Sequence, residues 1–374
     1  MLSEKSLTLG TTVALPKPEL DALLADLRAD GFQTIGPHLQ DESVVYKEIE
    51  ALKDLPRGMA SQQKPGAYRL TRTGKNRYFD FIPAMHSWKR FLFPSQIDLF
   101  EATRKGKWEF KPNDKPQPRY ALIGVRACEL AAIQVQDRTF LRPDFTDPIY
   151  KARRESLFIL AVNCLYPNAT CFCVSMGTGP RHQVGFDLCI TEMDDVFLVE
   201  VGSELGLSYL DHRKYELPSA FVQTAANQAI DRAAHSMGRT MDTSDLPELL
   251  THNLDAERWA EVAKRCLSCA NCTQVCPTCF CWDAVDHVNV TGTATRRERI
   301  WDSCFNPFYS TVFGGQTRPN IRSRYRQWLT HKVATWKGQF NVLGCVGCGR
   351  CITWCPVGID ITEEVAAIRK EVKG

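Results

Sequence analysis

Residues 266–277 read CLSCANCTQVCP, and residues 345–356 read CVGCGRCITWCP. Both follow the pattern Cys-x2-Cys-x2-Cys-x3-Cys-Pro, in which three closely spaced thiols can leave one tight turn together. This spacing is typical of two-cluster ferredoxins, where the fourth cysteine of each run binds the cluster of the other run. The sequence therefore predicts two [4Fe-4S] clusters that exchange their fourth ligands, and hence a protein that moves electrons.

Eight cysteines supply the predicted ligands. We call Cys266, Cys269, Cys272 and Cys355 the first cysteine set, and Cys345, Cys348, Cys351 and Cys276 the second cysteine set. A zinc ribbon, the main alternative metal site, uses paired CxxC motifs and leaves the third and fourth cysteines of each run unexplained. Disulfides are disfavoured because ligand-spaced cysteines in a chain with a conventional core indicate metal binding in a reducing compartment.

The composition of the 374-residue chain excludes several classes of protein. With 44% hydrophobic and 24% charged residues, it can bury a core for two or three domains. A formal net charge of +3 without a long basic run gives no support for nucleic-acid binding. No apolar stretch approaches the ~18 residues of a membrane span. Residues 1–16, with Glu4 and scattered threonines, lack a signal-peptide core and a twin-arginine signal, so we expect a cytoplasmic protein.

The order of helical and strand patterns predicts an α+β fold in three regions. Residues 1–115 are expected to form an N-terminal α+β region with a helix over 18–31 and short strands over 43–49, 67–72 and 78–82. The segment 87–95 is expected to be a loop packed against the core.

Residues 116–215 are predicted to be an α/β region. The apolar runs 120–125 and 157–162 are compact strands, and the residues between them have helical spacing, so a parallel crossover is expected. The segments 186–193 and 196–202, separated by Asp194 and Asp195, predict a hairpin.

Residues 216–374 are predicted to be a helical two-cluster ferredoxin domain. Helical patterns cover 219–237, 255–265 and 362–372, so helices flank both motifs. The 68 residues between the motifs, 277–344, are more than a small β-type ferredoxin needs, and we expect them to be helical as well.

Four further cysteines form a third cysteine set in the α/β region: Cys128, Cys164, Cys171 and Cys173. Cys128 and Cys164 follow predicted parallel strands, and loops at such strand ends are where open sheets bind ligands. Four thiolates there suit a third cluster. The alternative is that they are buried small hydrophobic residues. Arg126 and Arg181 nearby would raise the potential of such a cluster, or would form surface ion pairs.

The remaining cysteines have weaker signals. Cys279, Cys281 and Cys304 follow the first motif and suit a zinc site with His287, a role in shielding a cluster, or buried structural positions, of which we favour the last. Cys189 lies in a predicted strand and is expected in the core. The chain has no GxGxxG after a strand, no Walker A sequence and no HExxH, so no nucleotide fold or catalytic residue is predicted.

Several separate blocks of the sequence resemble one known family. They are GVRACELAAIQVQDRTFL (124–141), DPIYKARRES (147–156), VNCLYPNATCFCVSMGTGP (162–180), GFDLCITEM (185–193), and parts of 276–304 and 331–361. These blocks resemble the iron–sulfur β subunit of cytoplasmic [NiFe] hydrogenases with sulfur reductase activity (sulfhydrogenases), and the related iron–sulfur subunit of anaerobic sulfite reductase. The resemblance covers most of the chain beyond about residue 65.

The resemblance implies an electron conduit between a diaphorase that binds flavin and NAD(P) and a catalytic hydrogenase or sulfur or sulfite reductase. The eight motif cysteines carry over one for one, and a functional role for the third cysteine set is favoured. We therefore expect a non-catalytic electron-transfer subunit. Two alternatives remain open, a stand-alone iron–sulfur reductase acting on a sulfur substrate and a cluster-based redox sensor.

Overall fold

The computed structural model describes residues 7–83 and 85–373. Glu4 and its neighbours, on which the expected absence of a signal peptide partly rests, lie outside these residues. Within the described residues, no helix is both long and apolar enough to cross a membrane.

Seventeen strands are present in the described chain. They are β1 (Thr12–Pro16), β2 (Gln33–Gln40), β3 (Ser43–Glu48), β4 (Met59–Lys64), β5 (Ala67–Arg72), β6 (Gln96–Lys105), β7 (Lys107–Pro112), β8 (Tyr120–Arg126), β9 (Leu141–Arg142), β10 (Phe145–Thr146), β11 (Phe158–Val162), β12 (Leu188–Glu192), β13 (Val196–Val201), β14 (Trp282–Val288), β15 (Ala294–Trp301), β16 (Thr311–Val312) and β17 (Gly315–Gln316).

The described helices number thirteen, with one 3₁₀ turn (Leu52–Asp54) and one π-helical turn (His331–Thr335). The helices are α1 (Glu19–Ala29), α2 (Lys89–Leu92), α3 (Ala127–Phe140), α4 (Pro148–Glu155), α5 (Glu204–Leu210), α6 (Ala220–His235), α7 (Leu246–His252), α8 (Arg258–Arg265), α9 (Asn271–Gln274), α10 (Ile321–Thr330), α11 (Trp336–Phe340), α12 (Arg350–Thr353) and α13 (Ile361–Lys373).

A seven-stranded mixed sheet is the centre of the N-terminal half, with the order β1-β13-β12-β11-β8-β2-β3. Strands β2, β8, β11 and β12 run parallel to one another, and α3 lies in the connection between β8 and β11. The predicted crossover is therefore confirmed, as is the hairpin of β12 and β13, which pair antiparallel. All five residues of β11 are buried, which is typical of a parallel strand covered on both faces.

Helices cover both faces of this sheet. Four leucines of α1 are buried on one face, where they pack in a core that includes Ile123 and Leu160. Leu130 and Ile133 of α3 pack on the other face against Leu122. Burying one such side chain contributes about 1.5–3 kcal/mol, so both helices are held mainly by their apolar sides.

The C-terminal part is a helical assembly around its own core, and the protein as a whole has the expected α+β class. Trp259 of α8, Tyr325 and Trp328 of α10 and Ile368 of α13 form this core, against which several motif cysteines pack. Helix α8 ends at Arg265, so the first motif begins directly at a helix terminus.

Three local expectations were wrong. Residues 78–82 form no strand, and the segment 87–95 contains the short helix α2. The chain between the motifs is not all helical, because β14 and β15 form a four-stranded sheet with β6 and β7 in the order β14-β15-β6-β7. The strand β15 pairs with β6, so residues of the N-terminal region and of the inter-motif segment share one sheet.

Candidate metal centres

The first cysteine set lines a single cavity. Cys266, Cys269, Cys272 and Cys355 surround about 420 Å³ of space, part of it open to solvent. The rest of the lining is uncharged and includes Phe305, Tyr325, Trp328 and Ile359. Three thiols of one motif and the last thiol of the other are therefore brought together, although the two motifs are far apart in sequence.

Tight turns with left-handed backbone aim these thiols inward. Ser268 and Ala270 have φ of 53° and 65° in the first motif, and Gly347 and Gly349 have φ of 64° and 75° in the second. The amide of Ser268 donates to Cys266 Sγ at 3.4 Å, and that of Gly347 donates to Cys345 Sγ at 3.4 Å. Such N–H···S bonds favour the charged thiolate, which is the form that binds iron.

The thiols of the second cysteine set disfavour one another's ionisation. Burial raises the pKa of Cys345 to about 12, and burial raises the pKa of Cys351 well above its ordinary value, with further increases from Cys345, Cys348 and Cys276. Four thiols in this position ionise together only when a positive centre compensates them, as iron does.

The pKa of Cys276 is shifted in the opposite direction. The hydrogen bond from the Cys279 thiol, aided by Lys332 and Thr278, lowers the pKa of Cys276 well below its ordinary value. Its Sγ lies 3.2 Å from Thr278 Oγ1. The fourth ligand candidate of the second set is therefore surrounded by groups that stabilise a thiolate.

The third cysteine set lines another cavity, with about 430 Å³ of space, part of it open to solvent. Cys128 lies in the first turn of α3, Cys164 follows β11, and Cys171 and Cys173 lie in the loop after it. Burial raises the pKa of Cys171 to about 12. The four thiols that the strand ends indicated thus share one cavity in the structure.

The loop that carries Cys171 and Cys173 is fixed to the second motif. The amide of Phe172 donates to the Gly347 carbonyl at 2.9 Å, and Thr178 Oγ1 donates to the Val346 carbonyl at 2.7 Å. A Cβ on Gly347 would lie 2.6 Å from the backbone of Phe172, so only glycine allows this approach. The loop of the third set is therefore in direct contact with the motif that carries most of the second set.

The second cysteine set adjoins both of the other sets. Cys348 of the second set lines the cavity of the third set, and Cys351 of the second set lines the cavity of the first. The second set is thus the neighbour of both others. Cys269 is exposed, so the first set reaches the surface.

Charged side chains surround the third cavity. Arg350 and Glu129 form an ion pair in its wall, with 3% and 1% of their side chains exposed. Arg126 also lines it and donates to the carbonyls of Phe79 and Phe81 at 2.6 and 2.8 Å. Arg181 does not line this cavity and bonds to Asn227 instead.

The cavities of the first and third sets suit a cluster better than a single metal ion. Among residues 7–83 and 85–373, no group of three or more His, Cys, Asp or Glu side chains forms a site that could hold a metal ion. A [4Fe-4S] cluster makes a different demand, because its thiolates stand around a cube of iron and sulfur instead of one point. A cavity with four thiols in its wall and N–H···S bonds to them fits such a cluster.

The other cysteines lie outside these cavities. Cys189 is buried in β12, as expected. Cys279, Cys281 and Cys304 lie near the second set, and the hydrogen bond with Cys304 lowers the pKa of Cys281 to about 6. His287 is exposed and contacts Glu298 at 3.2 Å. Two residues that no sequence motif marks, Lys89 and Lys332, are also buried here.

Comparisons with known proteins agree with this geometry. The 4Fe-4S dicluster domain family matches residues 265–359, which contain all eight cysteines of the first and second sets. The chain is 31% identical over 286 residues to Sulfhydrogenase 2 subunit beta of Pyrococcus furiosus, an alignment that covers 75% of this chain and 82% of that protein. No solved structure matches the chain significantly.

Proposed function

Because the chain belongs to the family of sulfhydrogenase beta subunits, we propose that it is the electron-transfer subunit of a multi-subunit oxidoreductase. The chain carries a 4Fe-4S dicluster domain. In the proposal, electrons pass through its clusters between a diaphorase that binds flavin and NAD(P) and a catalytic hydrogenase or sulfur or sulfite reductase. The chain itself performs no bond chemistry on a substrate.

The proposed ligands of the first cluster are Cys266, Cys269, Cys272 and Cys355, and those of the second are Cys345, Cys348, Cys351 and Cys276. The observation that carries this assignment is the joint cavity of the first three residues with Cys355, a residue of the other motif. Such an exchange of ligands is characteristic of two-cluster ferredoxins. When bound, the clusters supply one-electron redox chemistry, and the protein supplies thiolates, hydrogen bonds and exclusion of water.

A third [4Fe-4S] cluster is proposed on Cys128, Cys164, Cys171 and Cys173. Its support is the cavity that these four thiols line together with Cys348. Because Cys348 and Cys351 each face a neighbouring cavity, the clusters would form a row in the order third, second, first. Such a row is of use to a protein that relays electrons across itself.

The exposed end of the row is a suitable place for electron exit or entry. Cys269 is exposed, and Leu267 beside it is 61% exposed, while Val357 on the same cavity is 38% exposed. We infer that one partner protein contacts the chain there. We infer also that the region 1–115, the region 116–215 and the domain 216–374 act as one unit. The compartment is proposed to be the cytoplasm, because metal-binding thiols persist in a reducing compartment.

Anaerobic co-purification tests this function. The tagged chain, expressed in its native host, should bring down a flavoprotein and a hydrogenase or reductase in amounts equal to its own. A Cys269→Ser chain serves as the matched comparison for the exposed cluster, and loss of electron transfer to a viologen dye is expected there. Recovery of no such partner, or reduction of sulfur by the purified chain alone, would contradict the non-catalytic role.

A further inference from the structure

Two lysine side chains are buried beside the second cysteine set. Lys332 and Lys89 are 3% and 4% exposed. Lys332 Nζ donates to Thr278 Oγ1 at 2.9 Å, and Lys89 Nζ donates to the Cys279 carbonyl at 3.3 Å. Lysine is almost never this buried without a partner of opposite charge, since removing an ammonium from water is costly.

Carboxylates do not provide that partner. Within the described residues, neither ammonium has an Asp or Glu oxygen within 4.0 Å, whereas Lys17 and Lys151 do. Each lies over an indole ring instead, Lys89 at 3.7 Å from the centroid of Trp301 and Lys332 at 4.5 Å from that of Trp336. The two ammonium groups are also near enough to repel each other. Cation–π contacts alone do not offset two desolvated like charges.

The groups that face these lysines are thiols, which become negatively charged when they ionise or bind iron. Lys332 interacts electrostatically with Cys276, Cys279 and Cys345. Lys89 interacts with Cys279, Cys276 and Cys281. Cys276 and Cys345 both belong to the second set, so a cluster bound there, with four thiolates and a net negative charge, is the counter-charge that the lysines lack.

The two lysines belong to separate elements of the fold. Lys332 lies in the π-helical turn His331–Thr335 between α10 and α11, and irregular turns of this kind often occur at functional sites. The carbonyl of Lys332 accepts from the amide of Gly344 at 2.8 Å, which ties it to the residue before Cys345. Lys89 comes from α2, far away in the sequence. Two independent parts of the chain thus bring positive charge to one place.

The first cavity differs in this respect. Among the described residues, the lining of the first cavity contains no charged residue and consists of cysteines, apolar and aromatic side chains and Asn271. Outside the lining, the buried guanidinium of Arg324 interacts electrostatically with Cys266. A cluster gains one negative charge when it is reduced, so nearby cations stabilise the reduced form and raise the potential. Two buried ammonium groups therefore lie near thiols of the second set, whereas one buried guanidinium, that of Arg324, lies near a thiol of the first.

We propose that the buried ammonium groups of Lys332 and Lys89 raise the reduction potential of the second cluster above that of the first. The second cluster is then the member of this pair that is reduced first and holds the electron. Lys332 and Lys89 are positioning residues, because they act through the ligands Cys276 and Cys345. This inference rests on the proposed function, since it requires the second cluster to be bound.

The test is a redox titration of the anaerobic holoprotein, followed by electron paramagnetic resonance, with Lys332→Met. At the wild-type midpoint of the second cluster, the ratio of reduced to oxidised cluster should fall about tenfold or more. The first cluster should titrate as before. Lys332→Arg keeps the positive charge and should therefore keep the wild-type ratio. Lys337→Met, which removes an exposed charge five residues away, should also leave the ratio unchanged.

The possible failures can be told apart. Wild-type protein that binds no second cluster would refute the proposed function itself. Clusters bound in every variant with unchanged midpoints, or an equal fall in Lys332→Met and Lys332→Arg, would overturn the role of charge and leave the proposed function standing. If the Lys332→Met protein does not fold, the same redox titration is made with Lys89→Met, which changes a residue of a different helix. The midpoint of the second cluster should fall in that variant too.

Discussion

Glu129→Gln should destabilise the protein strongly, because Glu129 is the centre of a buried hydrogen-bond network. Its carboxylate accepts from Tyr46 Oη at 2.9 and 3.0 Å, from Trp88 Nε1 at 3.2 Å and from the guanidinium of Arg350. Glu129 and Arg350 are 1% and 3% exposed. Glutamine keeps the shape and removes the charge, so Arg350 is left buried without its counter-ion.

The magnitude follows from the burial of the pair. Breaking a buried ion pair by removing one partner costs about 3–5 kcal/mol. The unfolding entropy scales with chain length, so for 374 residues this loss of unfolding free energy corresponds to a fall in Tm of roughly 4–6 °C. Anaerobic differential scanning calorimetry of the holoprotein measures it. The double variant Glu129→Gln with Arg350→Met should lose less than the sum of the two single variants, since no unpaired charge remains.

Glu155→Gln is the matched control. Glu155 pairs with Lys151 at 3.8 Å on the surface, where 65% and 53% of the two side chains are exposed, and such pairs contribute about 0–1 kcal/mol. Its Tm should stay within about 1 °C of wild type. Equal Tm values for the two glutamate variants would refute the reasoning that burial makes the Glu129–Arg350 pair essential.

Three further predictions concern the cysteine sets. Cys173→Ser should lower the iron content by about 4 atoms per chain, measured by colorimetric iron assay, while Cys189→Ser, a buried cysteine outside the sets, should not; equal iron in both would remove Cys173 from the third site. Cys355→Ser should abolish the resonance of the first cluster and spare that of the second, and loss of the second alone would refute the exchange of ligands. Gly347→Ala should lower Tm and weaken iron binding at the second and third sites, because a Cβ there meets the Phe172 backbone at 2.6 Å; unchanged iron and Tm would show that the loop can yield.

The elements that were predicted correctly have strong local patterns. The strands β8 and β11 are almost uninterrupted apolar runs, and α1 has leucines at helical spacing before a glycine. The twelve proposed cluster ligands, which stay a prediction, also come from local spacing and from strand ends. These features depend on neighbouring residues, so a single sequence contains the information needed to find them.

The error at residues 78–82 has a long-range cause. The apolar residues of this segment suggested a strand, but its backbone groups bond to side chains that are remote in sequence. The amides of Tyr78 and Phe79 donate to the Glu192 carboxylate, and the carbonyls of Phe79 and Phe81 accept from Arg126. These partners replace a neighbouring strand, and nothing in the local sequence predicts them.

The strands between the motifs were missed for a related reason. Most residues of β14 are exposed and two of them, Asp283 and Asp286, are charged, so no apolar alternation marks it. Its pairing with β15 includes Asp286 opposite Arg297, which also form an exposed ion pair. The sheet is completed by β6 and β7, about 180 residues earlier in the chain. Lys332 and Lys89 were overlooked similarly, since a lysine considered by itself is expected at the surface.

The iron and sulfide content of the anaerobically purified chain tests the central claim most directly. We predict about 12 iron atoms per chain with three clusters, or about 8 if only the dicluster domain is occupied, together with resonances of [4Fe-4S] clusters on reduction. Substitution of any one cysteine of the first or second set should reduce that number. About 4 iron atoms or fewer, or zinc in their place, would contradict an electron-transfer role for this protein.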